Sequence, residues 1–245
     1  MRIPVIHGMI DRRILVNFHV DPDVLARFLP EPFRPKLING SGMAGICLIR
    51  LVRVHPRFLP AVLGISSENA AHRFAVEWEQ DGGIREGVFI PRRDTSSRLN
   101  ALAGGRLFPG VHHHARFSID EHDGYYGVTM DSDDGESHLS VETQLTEKLP
   151  ESSVFRSLRE ASEFFEQGSL GYSATPDARG FDGLELRTVN WSVDALAVKQ
   201  VASSFFDDES RFPPGSINFD CALLMRQIEH EWHSQPSLCC EPAAG

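Results

Sequence analysis

Alternation of apolar and polar residues with a period of two recurs along most of this chain. It is interrupted by short turns of acidic residues and glycine, and that combination restricts the fold to one assembled from hairpins. Ile14, Val16, Phe18 and Val20 share one parity of residues 13–20, while Phe74, Val76 and Trp78 share one parity of 71–79, opposite Arg73, Glu77 and Glu79. Asp81-Gly82-Gly83 turns the second of these stretches into another over 84–90, and Asp133-Asp134-Gly135 lies between strands at 125–131 and 138–145. Residues 43–54 are apolar on both parities as far as Arg50 and Arg53, the pattern of a strand covered on two sides. Further strands fall at 111–119, at 184–198 around Trp191 with a turn near Asp194, and at 217–232.

Helices are few. The first is punctuated by Asp21 as cap, Pro22 in the first turn and Pro30 and Pro32 as stops; a second starts near Thr95–Ser97 and meets Gly104-Gly105. A third spans 153–167, capped by Ser152 or Ser153 and ended by Gly168. Residues 206–214 read as a polar, proline-bearing loop. With no repeat, linker or βαβ alternation, the expectation is one α+β domain over 1–235, mainly antiparallel β and barrel-like, with 236–245 as a disordered tail.

A length of 245 residues is ample for one substantial core. A formal charge of −10 argues against general binding to nucleic acid or anionic membrane. No apolar run approaches the roughly 18 residues of a spanning helix, and the first residues lack a signal-peptide pattern. Cys47, Cys221, Cys239 and Cys240 have neither metal-ligand spacing nor a disulfide pattern, so the expectation is a cytoplasmic protein with reduced thiols.

Against that acidic background, Gly87 to Phe117 reverses sign. It holds Arg92, Arg93, Arg98, Arg106 and Arg116 and the run His112-His113-His114 against one acid, Asp94. Such a reversal suits a pocket for a small anionic or polar molecule. Arg92 and Arg93 are adjacent at a strand end, so at most one enters a cavity, as a carboxylate clamp; the competing reading is a structural pair with Asp94. His112, His114 and Arg116 share one strand face and His113 and Ala115 the other. Arg98 and Arg106 read as surface charge. Ser96, Ser97 and Asp94 read as helix caps, since no G-x-S-x-G elbow is present. Glu77 and Glu79 share a face that serves either acid–base chemistry or solvation.

The runs RRILVNFHVDPDVLARFLPEPFRP and RDTSSRLNALAGGRLFPGVHHHARF resemble the acetoacetate decarboxylase-like superfamily, and within it the uncharacterised YqjF-like family called domain of unknown function 2071. The segment EFFEQGSLGYSA and the stretch around Trp191 are similar to the same family, so the likeness extends from Arg12 to Trp232. The resemblance implies an antiparallel barrel with a central cavity and a few flanking helices. It also implies a Schiff-base lysine directly after the proline of the helix-ending motif. Here Gly110 and Val111 follow Pro109, and neither can form an imine. The substrate-binding arginine of the superfamily falls on His19, and the lysines of the chain, Lys36, Lys148 and Lys199, lie elsewhere.

Together these readings predict a barrel whose cavity takes a carboxylate or oxo-acid-like ligand through His19, Arg92 or Arg93, His112 and His114. No cofactor, metal, nucleic acid or membrane partner is assigned, and homo-oligomerisation is the tendency that the resemblance implies. Two alternatives stand beside it. One is a lyase or hydrolase that depends on histidine or on zinc held by His19, His112 and His114; the other is a structural barrel with a filled interior.

Overall fold

The structure is a computed structural model that describes residues 4–105 and 108–239. The first alternating stretch forms β1 (Ile6–Val20), in which Ile6, Gly8 and Ile10 continue the inward parity toward the N-terminus. In α1 (Pro22–Ala26) the Asp21 carboxylate caps the helix by accepting from the N–H groups of Asp23 and Val24. The two-residue strands β2 (Arg34–Pro35) and β3 (Leu37–Ile38) precede β4 (Ser41–Pro56). β5 (Ile65–Gln80) and β6 (Gly83–Thr95) form the predicted hairpin, with Asp81 and Gly82 both at positive φ as a two-residue turn requires. After α2 (Arg98–Ala103), a meander is made by β7 (His112–His122), β8 (Tyr125–Ser132) and β9 (His138–Thr146). The chain continues through α3 (Leu158–Gln167), β10 (Leu170–Ala174), β11 (Gly180–Thr188), β12 (Asp194–Ser203) and β13 (Ile217–Cys239).

These strands form one sheet that closes on itself twice. The order β6-β7-β8-β9-β12-β13-β1-β4-β5 returns to β6 as a nine-strand ring, and β10 and β11 bridge β6 to β13 to close a second ring on β13, β1, β4, β5 and β6. Those five strands are therefore a shared wall with two covered faces, which is why 43–54 carries apolar residues on both parities. Ile14, Val16, Ile46, Leu48 and Phe74 face the nine-strand ring and pack into its core. Leu15, Cys47, Ala71 and Arg93, consecutive Cα partners across four strands, lie on the opposite parity.

The rings part at two forks. One edge of β6 pairs with β10 at Val88–Phe89 and then with β7 at Arg93–Thr95; β13 pairs with β12 over Ala222–Leu224 and with β11 over His230–Cys239. The mainly β, barrel-like expectation is met, with one amendment: β6 pairs with both β7 and β10 in parallel. The segment through α2 is long enough for a parallel crossover, which needs roughly a dozen residues or more.

Four other expectations are corrected. Trp191 lies between β11 and β12, not in a strand; it is held under α3, where its indole N–H donates to the Ser162 hydroxyl at 2.9 Å. α3 begins at Leu158 with Ser157 as its cap, because the buried Asp220 carboxylate takes the Ser153 hydroxyl and the Val154 N–H and holds that segment out of the helix. The 206–214 loop is not merely polar, since Phe206 and Phe212 are buried and plug the nine-strand ring, stacking with Phe18 and Phe28. Residues 236–239, expected to be disordered tail, are the end of β13 and pair with β11; Arg106 and the rest of the expected tail lie outside the described residues.

Candidate functional site

The nine-strand ring is filled, and the cavity lies across the wall from it. A partly open space of about 170 Å³ lies between the wall, β10, β11, α2 and α3. Arg93 and His112, direct Cα partners on β6 and β7, enter it at the fork of β6. Arg93 donates from Nε to the Ser173 hydroxyl at 3.1 Å, and no described carboxylate pairs with it. Burial lowers its pKa to about 10, so the guanidinium stays charged at neutral pH. Burial, aided by the Arg93 charge, lowers the His112 ring to about 4 against the opposing pull of the Gly110 carbonyl. Neutral His112, with Nδ1 at 3.0 Å from that carbonyl, must donate from Nδ1, which leaves Nε2 as its acceptor.

Three of the predicted site residues do not reach the cavity. Arg92 points to the opposite face, where it grips the fully buried Asp94 with Nε and Nη2 at 3.0 and 2.9 Å and also meets Asp134 and the Ser132 hydroxyl. His114 shares a face with His112 as expected, but the second ring leaves β6 at the fork and uncovers β7, so His114 binds Asp133 at 2.7 Å near the surface. His19 lies at the far end of β1 beside Asp220, its Nδ1 at 3.7 Å, under the segment that precedes α3. The three-histidine site therefore does not form, and among the described residues no group of three or more metal-type ligands converges. Glu77 and Glu79 form ion pairs with Arg34 on the outside of the sheet.

Gly110 sits in the same fork at φ 77°, a conformation that L side chains rarely adopt. A Cβ there would come within 2.7 Å of the Ser173 Cβ and 3.3 Å of the Arg93 Nε, so the position is filled by its neighbours. No lysine lines the cavity. Lys36 is paired with Glu86, and Lys199 lies over the Tyr125 ring.

Residues that the sequence reading passed over complete the lining. Arg73, on the strand parity of Glu77 and Glu79, is 6% exposed; Nη2 donates to the Asn17 side chain while Nε has no partner among the described residues. Burial lowers its pKa to about 10. Arg13 meets only soft acceptors, Cys47 Sγ from Nε at 3.3 Å and Met225 Sδ from Nη1 at 3.8 Å. Asn69 and Asn100 also face this space. One signal for Arg13 and Arg73 was available: their strands flank β4, whose apolar residues on both parities imply that neither face of the neighbouring strands is solvent.

Among curated proteins, none matches the chain significantly. In solved structures, an acetoacetate decarboxylase-like enzyme from Sphingomonas wittichii RW1 superposes with a TM-score of 0.61 at 12% identity, over 98% of this chain and 94% of that one. Acetoacetate decarboxylase from Legionella pneumophila gives 0.61 at 9% identity, over 99% and 90%. The enduracididine biosynthesis enzyme MppR, complexed with pyruvate, gives 0.61 at 10% identity, over 98% and 91%. At these identities the likeness carries the fold, which is acetoacetate decarboxylase-like. The sequence profile of DUF2071, described as an uncharacterized conserved protein, matches residues 9–204, and the chain belongs to that family.

Proposed function

We propose that the protein binds a small carboxylate or oxo-acid-like anion in the cavity of its second ring and does not act on it through a Schiff base. One observation carries the reading: Arg13, Arg73 and Arg93 line a single cavity with no carboxylate partner among the described residues. Arg73 is a buried cation without a counter-ion, which destabilises a fold by several kcal/mol, and Arg13 and Arg93 are partly buried in the same lining, so an anion that completes the site is the physical reason to retain them. The one acid in the lining, Asp94, is neutralised by Arg92. MppR has been seen with pyruvate in the same fold, which supports an oxo acid as the ligand class. The loss of imine chemistry rests on Gly110, on the lack of room for a side chain there, and on a lining without lysine. The buried thiols Cys47 and Cys221 suit a reducing cytoplasm.

A second reading is favoured by His112 alone. A neutral imidazole with a free Nε2, two atoms from a hydrogen-bonded Nδ1 and next to an arginine, has the form of a general base, so the bound acid is converted by proton transfer rather than merely held.

Calorimetric titration with pyruvate tests the binding reading. Wild-type protein binds it and Arg93→Met weakens binding by about tenfold or more, the effect of losing a charged hydrogen-bond pair; equal affinity in the two proteins refutes the site. Borohydride added with an oxo acid leaves the protein mass unchanged, and a trapped lysine adduct would show the Schiff-base exclusion to be wrong.

A further inference from the structure

We infer that the ligand is a short dicarboxylate of four or five carbons, held by one carboxylate at each of two cationic poles; this rests on the carboxylate reading above. The three arginines do not form a single cluster. Arg93 lies at the fork of β6, bound to Ser173 on β10 and beside His112. Arg73 and Arg13 turn the other way, toward β1 and β4. Arg73 reaches across Gly45 to Asn17, and Arg13 lies against Cys47. Both of these guanidiniums sit under aromatic rings of the covering layer, Arg73 4.9 Å from the Phe165 centroid and Arg13 5.9 Å from that of Trp191.

Neither pole is satisfied among the described residues. Arg73 Nε is buried with no partner, and the contacts of Arg13 are to sulfur, a weak acceptor. At the opposite pole Arg93 has one described hydrogen bond, to a neutral hydroxyl. A monocarboxylate neutralises one pole and leaves the other as uncompensated buried charge, whereas a dianion neutralises both.

Length and volume limit the class further. Cys47, against which Arg13 lies, and Arg93 stand two strand spacings apart on the wall, about 10 Å between their backbones. Two carboxylates joined by a chain of two or three carbons, with an ionic contact at each end, fit such a gap. A volume of about 170 Å³ is close to the roughly 150 Å³ cavity known to hold benzene. That volume suits a ligand of on the order of six to ten non-hydrogen atoms. Ile90, Leu184 and Leu186 line the same space and offer apolar surface to the carbon chain.

The test is calorimetric titration of the full chain with succinate and 2-oxoglutarate and with the monoacids butyrate and pyruvate. Wild-type protein is expected to bind each diacid at least tenfold more tightly than its monoacid counterpart. In Arg73→Met that ratio falls toward one because the diacid loses its second contact. Equal binding of diacids and monoacids by wild-type protein, a comparison that needs no variant to fold, overturns the two-pole inference and leaves the carboxylate reading standing. A diacid preference that survives in both Arg73→Met and Arg13→Met also overturns it. Failure of all four acids to bind wild-type protein overturns both readings.

Discussion

Arg92 and Arg93 are neighbours in sequence with opposite physical roles. Arg92 neutralises Asp94, which is fully buried, so Arg92→Met strands a carboxylate in the core. Breaking a buried pair from one side costs about 3–5 kcal/mol, and that loss is the expected drop in unfolding free energy by urea titration. Arg93 carries a partly buried charge with no carboxylate partner among the described residues, and Arg93→Met is expected to leave stability unchanged or to raise it, at the expense of binding. Comparable destabilisation by the two substitutions would contradict this assignment of faces. Gly110 belongs to the same fork: its left-handed backbone and the contacts a Cβ would make explain why no reactive side chain stands there.

At the level of elements, the docking of α3 adds to the cover that β10 and β11 give the cavity. Its approach is set by Asp220 on β13, which accepts from the Ser153 hydroxyl at 2.9 Å and the Val154 N–H at 2.7 Å. Phe155 and Phe165 then pack against Leu15, Met43 and Leu223 of the wall. Asp220 is fully buried and its two donors partly so, and Asp220→Ala removes both acceptors, at up to roughly 1–3 kcal/mol for each orphaned donor. Local opening of this covering layer should become easier than global unfolding. Hydrogen exchange over 154–167 is therefore expected to accelerate while β1 and β4 keep their protection; uniform acceleration across the chain would mean that the contact supports the whole fold instead.

For the molecule as a whole, the closed double ring buries histidines in the neutral form. His72 is fully buried, with its pKa lowered by burial to about 3, and burial lowers His230 and His112 to about 4. In the unfolded chain these rings protonate near pH 6.5. Between those values the unfolded state holds more protons, so stability is full above pH 6.5 and declines as pH falls toward 4. Each pH unit of difference is worth about 1.4 kcal/mol per ring, so the loss amounts to several kcal/mol. Thermal midpoints from pH 7.5 down to 4.5 should fall steadily, and a flat profile across pH 6.5 to 5 would exclude the buried-neutral assignment. No helix among the described residues is long and apolar enough to cross a membrane.

Much of this fold is legible in local pattern. Period-two alternation located β1, β5, β7, β8 and β9, and the Asp81-Gly82 turn marked its hairpin, because strand parity and turn backbone are set by neighbouring residues. Apolar residues on both parities of 43–54 announced a two-faced wall, and the sign reversal at Arg92–His114 located the fork. Closure was not local. Which face of β6 met a cavity, where β10 replaced β7 at its edge, and what covered β5 depended on partners tens of residues away. For that reason His114 and His19, on the expected parity, ended beside Asp133 and Asp220, while Arg73, on the parity of Glu77, became part of the lining. The sequence alone determined which residues alternate and where charge gathers. Only the tertiary structure decided which side of each strand is inside, because that depends on long-range pairing that closes two rings on one wall.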